Sequence, residues 1–160
     1  MSHPTVSAYY LGACETSSLT YSKTSSRSIE EKIIEQLENA QLSGKIPRTT
    51  NDPDKEIIIE MSKFGLKLIN RKTGDVTMRI PLLNLVLFTT FNDGYGKIDG
   101  VILENCETTQ KRYKSHLIQF QAETSANLLC KLVNESFMEA EEAKAIVTLP
   151  EPPSPSLVDY

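Results

Sequence analysis

Leu82-Leu83-Asn84-Leu85-Val86-Leu87-Phe88-Thr89-Thr90-Phe91 runs without a lysine, arginine, aspartate or glutamate and is closed by Asn92-Asp93-Gly94. Aliphatic, aromatic and β-branched residues bounded by a turn signal predict a strand. Further on, Ala126, Leu129, Cys130, Val133 and Phe137 recur at the spacing of an amphipathic helix. A long apolar strand with an unpaired edge beside such a helix forms a groove to which an extended peptide can add as one more strand. Alternation leaves the buried face of the strand open: Leu85, Leu87 and Thr89 form one set, and Val86, Phe88 and Thr90 the other.

Working outward, residues 6–14 read as a strand in which Gly12 marks a bulge or a close backbone approach. The Ser/Thr-dominated stretch 15–27 reads as an exposed, solvated loop whose serines could take phosphate. Ser28-Ile29-Glu30-Glu31 is a capping box, and the helix it opens carries Ile29, Ile33, Ile34, Leu37 and Ala40 on one face, with Gly44 as its stop. From Lys55 the period changes to two. Residues 56–62, 66–70 and 76–80 predict strands linked by turns at Lys63-Phe64-Gly65 and at residues 71–75, with Pro81 at a bend or the start of an edge strand. Residues 100–104 and 116–122 add two more strands around a polar, basic link at residues 108–114. The last helix runs from an N-cap at Thr124 to about Lys144, before the Pro-rich stretch that begins at Pro150.

Strand, helix, about six strands, helix is an α+β order. Short links imply an antiparallel meander, which predicts two roughly orthogonal antiparallel sheets with the C-terminal helix capping one open end. Residues 1–147 form one domain and 148–160 a disordered Pro-rich tail. The chain has 160 residues, is 39% hydrophobic and carries a formal charge of −4, enough apolar content for a core and a balance opposed to nucleic-acid binding. Three cysteines (Cys14, Cys106, Cys130) without CxxC spacing suggest reduced thiols and no zinc or disulfide framework. Neither a secretory pattern after Met1-Ser2-His3-Pro4 nor an apolar run of membrane-spanning length is present, so a cytoplasmic protein is expected.

Catalytic chemistry finds no purchase. Asp93-Gly94-Tyr95-Gly96-Lys97 lacks P-loop spacing. His3 and His116 have no nucleophile or carboxylate at a recognisable spacing, and His116 reads as a solvated residue at the start of a strand. Glu139, Glu141 and Glu142 read as a solvent-facing stretch of helix. No enzyme, cofactor or metal is predicted.

Tyr9-Tyr10-Leu11-Gly12, the early helix, Met61-Ser62-Lys63-Phe64-Gly65-Leu66-Lys67-Leu68, the long fifth strand and a last helix carrying Phe137 together resemble phosphotyrosine-binding (PTB) domains, over residues 6–140. Gln41-Leu42-Ser43-Gly44-Lys45-Ile46-Pro47 and Phe91-Asn92-Asp93-Gly94-Tyr95-Gly96 resemble most the branch of that family formed by integrin β1-binding adaptors. The resemblance implies a PH-like superfold and a non-catalytic adaptor. It implies strand addition by an Asn-Pro-x-Tyr or Asn-Pro-x-Phe segment of an integrin β cytoplasmic tail, or of a scaffold protein with a similar motif. Peptide contacts would come from Leu82, Leu85, Val86, Leu87, Phe88 and Thr89 and from Leu129, Val133 and Phe137, the last beside the turn of the motif.

No basic residue lies in the fifth strand, so phosphate-independent recognition is expected, with recruitment to the inner face of the plasma membrane through the partner. Arg71, Lys72, Lys111, Arg112 and Lys114 are the candidates for phosphate or lipid contact. The alternative of a phosphoinositide-binding module needs a basic cluster at one loop end, for which Lys23 and Arg27 with Arg71-Lys72 or with Lys111-Arg112-Lys114 are the candidates. Ser154-Pro155 resembles a proline-directed phosphorylation site and suggests a third role, as a scaffold acting through the tail.

Overall fold

The computed structural model describes residues 4–16, 28–107 and 112–148. In it seven antiparallel strands, β1 (Thr5–Thr16), β2 (Glu56–Ser62), β3 (Gly65–Asn70), β4 (Val76–Pro81), β5 (Leu85–Asn92), β6 (Ile98–Glu107) and β7 (Arg112–Phe120), are accompanied by helices α1 (Ile29–Leu42) and α2 (Glu123–Thr148). The strand order is β4-β3-β2-β1-β7-β6-β5. The two expected sheets are therefore two halves of one sheet that share β1. Thr5 to Tyr9 pair with β2 and Ala8 to Thr16 with β7, and the register slips between Tyr10 and Gly12 where a bulge was expected. The sheet stays open, with β4 at one edge and β5 at the other.

Its curvature shows in the core. Ile59, Met61, Leu66 and Ile80 from one half meet Leu85, Ile102, Ile118 and Phe120 from the other, and Ala126, Leu129 and Val133 of α2 seal the gap between them. On the opposite face, Ile33, Leu37 and Ala40 of α1 cover Leu11, Val101, Leu103 and Leu117. Helices thus lie against both faces of β6 and β7, which explains the near-continuous burial along β7.

The caps follow from local chemistry. Ser28 Oγ accepts the N–H of Glu31 at 3.2 Å. At the other end of α1, Gly44 adopts φ +82°, the Lys45 N–H reaches the Ala40 carbonyl at 2.9 Å and the Gly44 N–H the Gln41 carbonyl at 3.2 Å. This paired closure satisfies carbonyls that the helix end would leave open, and it drops Ile46 into the α1 core. α2 starts one residue before the expected N-cap, with the N–H groups of Ser125 and Ala126 both on the Ala122 carbonyl.

Three expectations change. The Leu82 to Phe91 run is not one strand: Pro81 ends β4, Leu82–Asn84 make a 3₁₀ turn, and β5 begins at Leu85. The chain must leave one edge of the sheet and re-enter at the other, and a proline followed by a tight turn makes that corner. The basic link is also shorter than expected, since Arg112 and Lys114 belong to β7. His116, expected in solvent, is fully buried within β7. The serine loop beyond Thr16, Lys111, and the Pro-rich stretch with Ser154-Pro155 lie outside the described residues. Among the described residues, no helix is long and apolar enough to cross a membrane.

Candidate peptide-binding groove

β5 hydrogen-bonds to β6 along one edge, and among the described residues no strand covers its other edge. The question of its buried face has an answer that alternation alone does not contain. The register slips between Leu85 and Leu87, leaving Val86 on a bulge. Leu85 and Phe88 therefore join the core under α2, whereas Leu87 and Phe91 join the core under α1. Val86 is exposed. A bulge places two residues against one on the partner strand and shifts the alternation beyond it by one.

At the start of β5 a groove of about 860 Å³ is lined by Lys63, Phe64, Pro81, Leu82, Leu83, Val86, Phe137, Ala140 and Glu141. Its walls have an identifiable cause. The Leu82 N–H bonds the Phe64 carbonyl at 2.9 Å, tying the turn after β4 to the β2–β3 turn. Such an approach requires glycine at 65, where φ is +133° and a Cβ would stand 2.1 Å from the Ile80 carbonyl oxygen. Phe64 and Leu83, at 74% and 89% exposure, both line the groove. Large apolar groups held this open beside a strand edge form the kind of patch that marks an interaction site.

The expected site residues divide. Leu82, Val86 and Phe137 line the groove. Leu129 and Val133, expected there as well, are 0% and 1% exposed and anchor α2 to the sheet. Leu85 is buried, so it offers an incoming strand only backbone. Phe88 is half-buried and packs edge-on against Phe120 at 6.1 Å between centroids. Leu87 is half-buried toward α1, and Thr89, also half-buried, follows it on that face. Phe64, Leu83, Lys63, Ala140 and Glu141 were not anticipated. A phenylalanine in a two-residue turn, where polar residues prevail, was the available signal.

Charge is sparse in the groove. Lys63, 5.2 Å above the Phe64 ring, faces the same space as Glu141. The other basic candidates lie apart. Arg71 bonds Ser7 Oγ at 3.2 Å and approaches Glu56, while Lys72 pairs with Asp54 at 3.0 Å. Lys114 stands opposite Glu15, eight positions along β1 from Ser7, and opposite Glu104 on β6. Arg71 and Lys72 therefore do not meet Arg112 and Lys114 in one basic patch. Among the described residues, no group of three or more His, Cys, Asp or Glu is placed to hold a metal ion.

The family profile described as "Beta-1 integrin binding protein" matches residues 4–144, from the start of β1 to the part of α2 beyond the groove. The chain belongs to that family. Integrin beta-1-binding protein 1 of Bos taurus is 25% identical over 129 residues, covering 80% of this chain. The Mus musculus protein of the same name is 23% identical over the same length. The match spans 62% of the length of each relative.

Proposed function

We propose that this chain is a non-catalytic adaptor that binds an Asn-Pro-x-Tyr or Asn-Pro-x-Phe segment of an integrin β cytoplasmic tail by strand addition to β5. The observation that carries the reading is the continuity of the free β5 edge with the apolar groove of Phe64, Leu83, Val86 and Phe137. A peptide adding antiparallel to β5 brings its C-terminal end to the start of that strand. Its upstream residues then use backbone hydrogen bonds, which give affinity with little sequence preference, while its turn and aromatic residue enter the groove, which gives specificity. The names of the two relatives supply the partner class, and the adaptor role at the inner membrane face follows from it.

Recognition is phosphate-independent in this account. A phosphotyrosine adds close to two negative charges and is held by arginine forks. Among the described residues, the charged groups lining the groove are one lysine and one glutamate.

The test is an amide chemical-shift titration of this protein with an unphosphorylated integrin β1 tail peptide, repeated with its phosphotyrosine twin. The expected result is perturbation along β5 and around Phe137, with equal or weaker binding of the phosphopeptide. A phosphopeptide bound tenfold more tightly would refute phosphate independence. Shifts clustered on the β4 edge would refute the groove.

A further inference from the structure

Asp99, on β6, is fully buried, and neither carboxylate oxygen has a hydrogen-bond partner. Its cross-strand neighbours are Phe91 and Gln119. Phe91 packs toward α1, and the Gln119 amide clasps the backbone of Thr50, accepting its N–H at 3.3 Å and donating to its carbonyl at 2.9 Å. Asp99 therefore lies on the α1 side of the sheet, beneath the connection between α1 and β2.

Beside it, the loop after β5 is built around Asp93. Oδ1 of Asp93 accepts the N–H groups of Tyr95 at 2.7 Å and Lys97 at 3.0 Å, while Oδ2 is buried without a donor. Asp93 is the charge that bears on Asp99, and the cavity beside Asp93 is also lined by Glu38 of α1 and by Arg48, whose guanidinium donates to the Tyr95 hydroxyl at 2.6 Å. β5 and β7 contribute the neutral Phe91 and Gln119.

A buried carboxylate with no donor is among the costliest groups a protein can contain, and it keeps its proton where nothing compensates the charge. Asp93 Oδ1 already accepts two N–H donors whereas neither oxygen of Asp99 has one, so the proton belongs on Asp99. We propose that Asp99 and Asp93 form a carboxyl–carboxylate latch, with the proton on Asp99 and offered to Asp93 Oδ2, that fastens the 93–97 loop in acid and loosens it as the solution becomes neutral. Burial, then the charge of Asp93, lifts the Asp99 carboxyl to about 7, in keeping with that geometry.

The sign follows from linkage. Between the ordinary carboxylate range near 4 and neutrality, the closed loop holds a proton that the open loop releases. Opening therefore grows by up to about tenfold per pH unit and levels off above neutrality.

Two measurements on the whole chain decide the matter. Carbon-detected NMR should show the Asp99 carboxyl titrating near neutral pH, and a midpoint below pH 5 would overturn the proposal. Hydrogen-exchange protection of the Tyr95 and Lys97 amides, corrected for intrinsic rates, should fall at least tenfold from pH 5 to 7 in the wild type and stay level in Asp99→Asn. An equal fall in both proteins, or none in the wild type, would overturn it. Asp93→Asn, which leaves Asp99 intact, should lower the Asp99 midpoint, and an unchanged midpoint would contradict the pairing.

Discussion

At the scale of single residues, three polar side chains hold the middle of the sheet. His116 is fully buried, with Nδ1 2.9 Å from the Tyr10 hydroxyl and Nε2 2.9 Å from Glu104 Oε1. A carboxylate only accepts, so Nε2–H donates to Glu104, and the remaining nitrogen accepts from Tyr10, whose own hydroxyl is pushed up to about 12 by burial and Glu104. Tyr10→Phe leaves a buried ring nitrogen without its donor and should cost about 1–3 kcal/mol in urea unfolding. Burial holds His116 below its ordinary value, against the opposing pull of Glu104. As pH falls below about 6.5 the unfolded chain takes up a proton before the folded one, so His116 removes stability in acid. Asp99 has the opposite sign, its stabilising proton being lost as pH rises toward 7. In Asp99→Asn the histidine slope should stand alone, with stability increasing from pH 5 to 7. Parallel wild-type and variant curves would contradict the Asp99 assignment, and a variant whose stability does not rise from pH 5 to 7 would contradict that of His116. None of this was legible in the sequence, because His116 and Glu104 meet across a strand pair and not at a motif spacing.

At the scale of elements, periodicity and caps placed most strands and both helices close to where they lie. What it could not give was the bulge at Val86, since two apolar sets of similar quality leave alternation undecided until β6 and both helices select the faces. The same limit applied to Leu129 and Val133: a helical stripe reports burial, and only the sheet beneath it separates core from groove. Glycines that permit close contact are equally silent in sequence. At Gly100 a Cβ would stand 2.6 Å from the Phe120 ring and 2.9 Å from the Phe88 ring. Gly65→Ala, with its clash against backbone at positive φ, should destabilise the fold by more than about 2 kcal/mol and displace Leu82 from Phe64. Thermal unfolding measures the first effect and peptide affinity the second. A variant as stable and as active as wild type would show that this glycine does not frame the groove. Phe64→Ala, in an exposed side chain, should leave unfolding within about 0.5 kcal/mol of wild type and still weaken peptide binding.

At the scale of the whole molecule, the sheet curls so that its two halves share one core, α2 closes that core, and α1 buries the other face of β6 and β7. Among the described residues, the arrangement leaves β5 as an edge with Leu85 and Phe88 packed on one face and Leu87 and Phe91 on the other, while no strand pairs with its outer backbone groups. An edge of this kind is a template for an added strand. The architecture and the strand at this edge were legible from element order and from the charge-free run at residues 82–91. The groove's far wall was not, because it depends on the β2–β3 turn meeting the turn after Pro81, two segments far apart in sequence. The most direct test is calorimetric titration of wild type and Leu83→Asp with the unphosphorylated integrin β1 tail peptide. Leu83 is exposed enough that its replacement should leave the fold intact, as circular dichroism would verify. The account predicts saturable one-to-one binding by wild type and at least tenfold weaker binding by Leu83→Asp. Equal affinity in the two proteins, with both folded, would place the peptide elsewhere and contradict it.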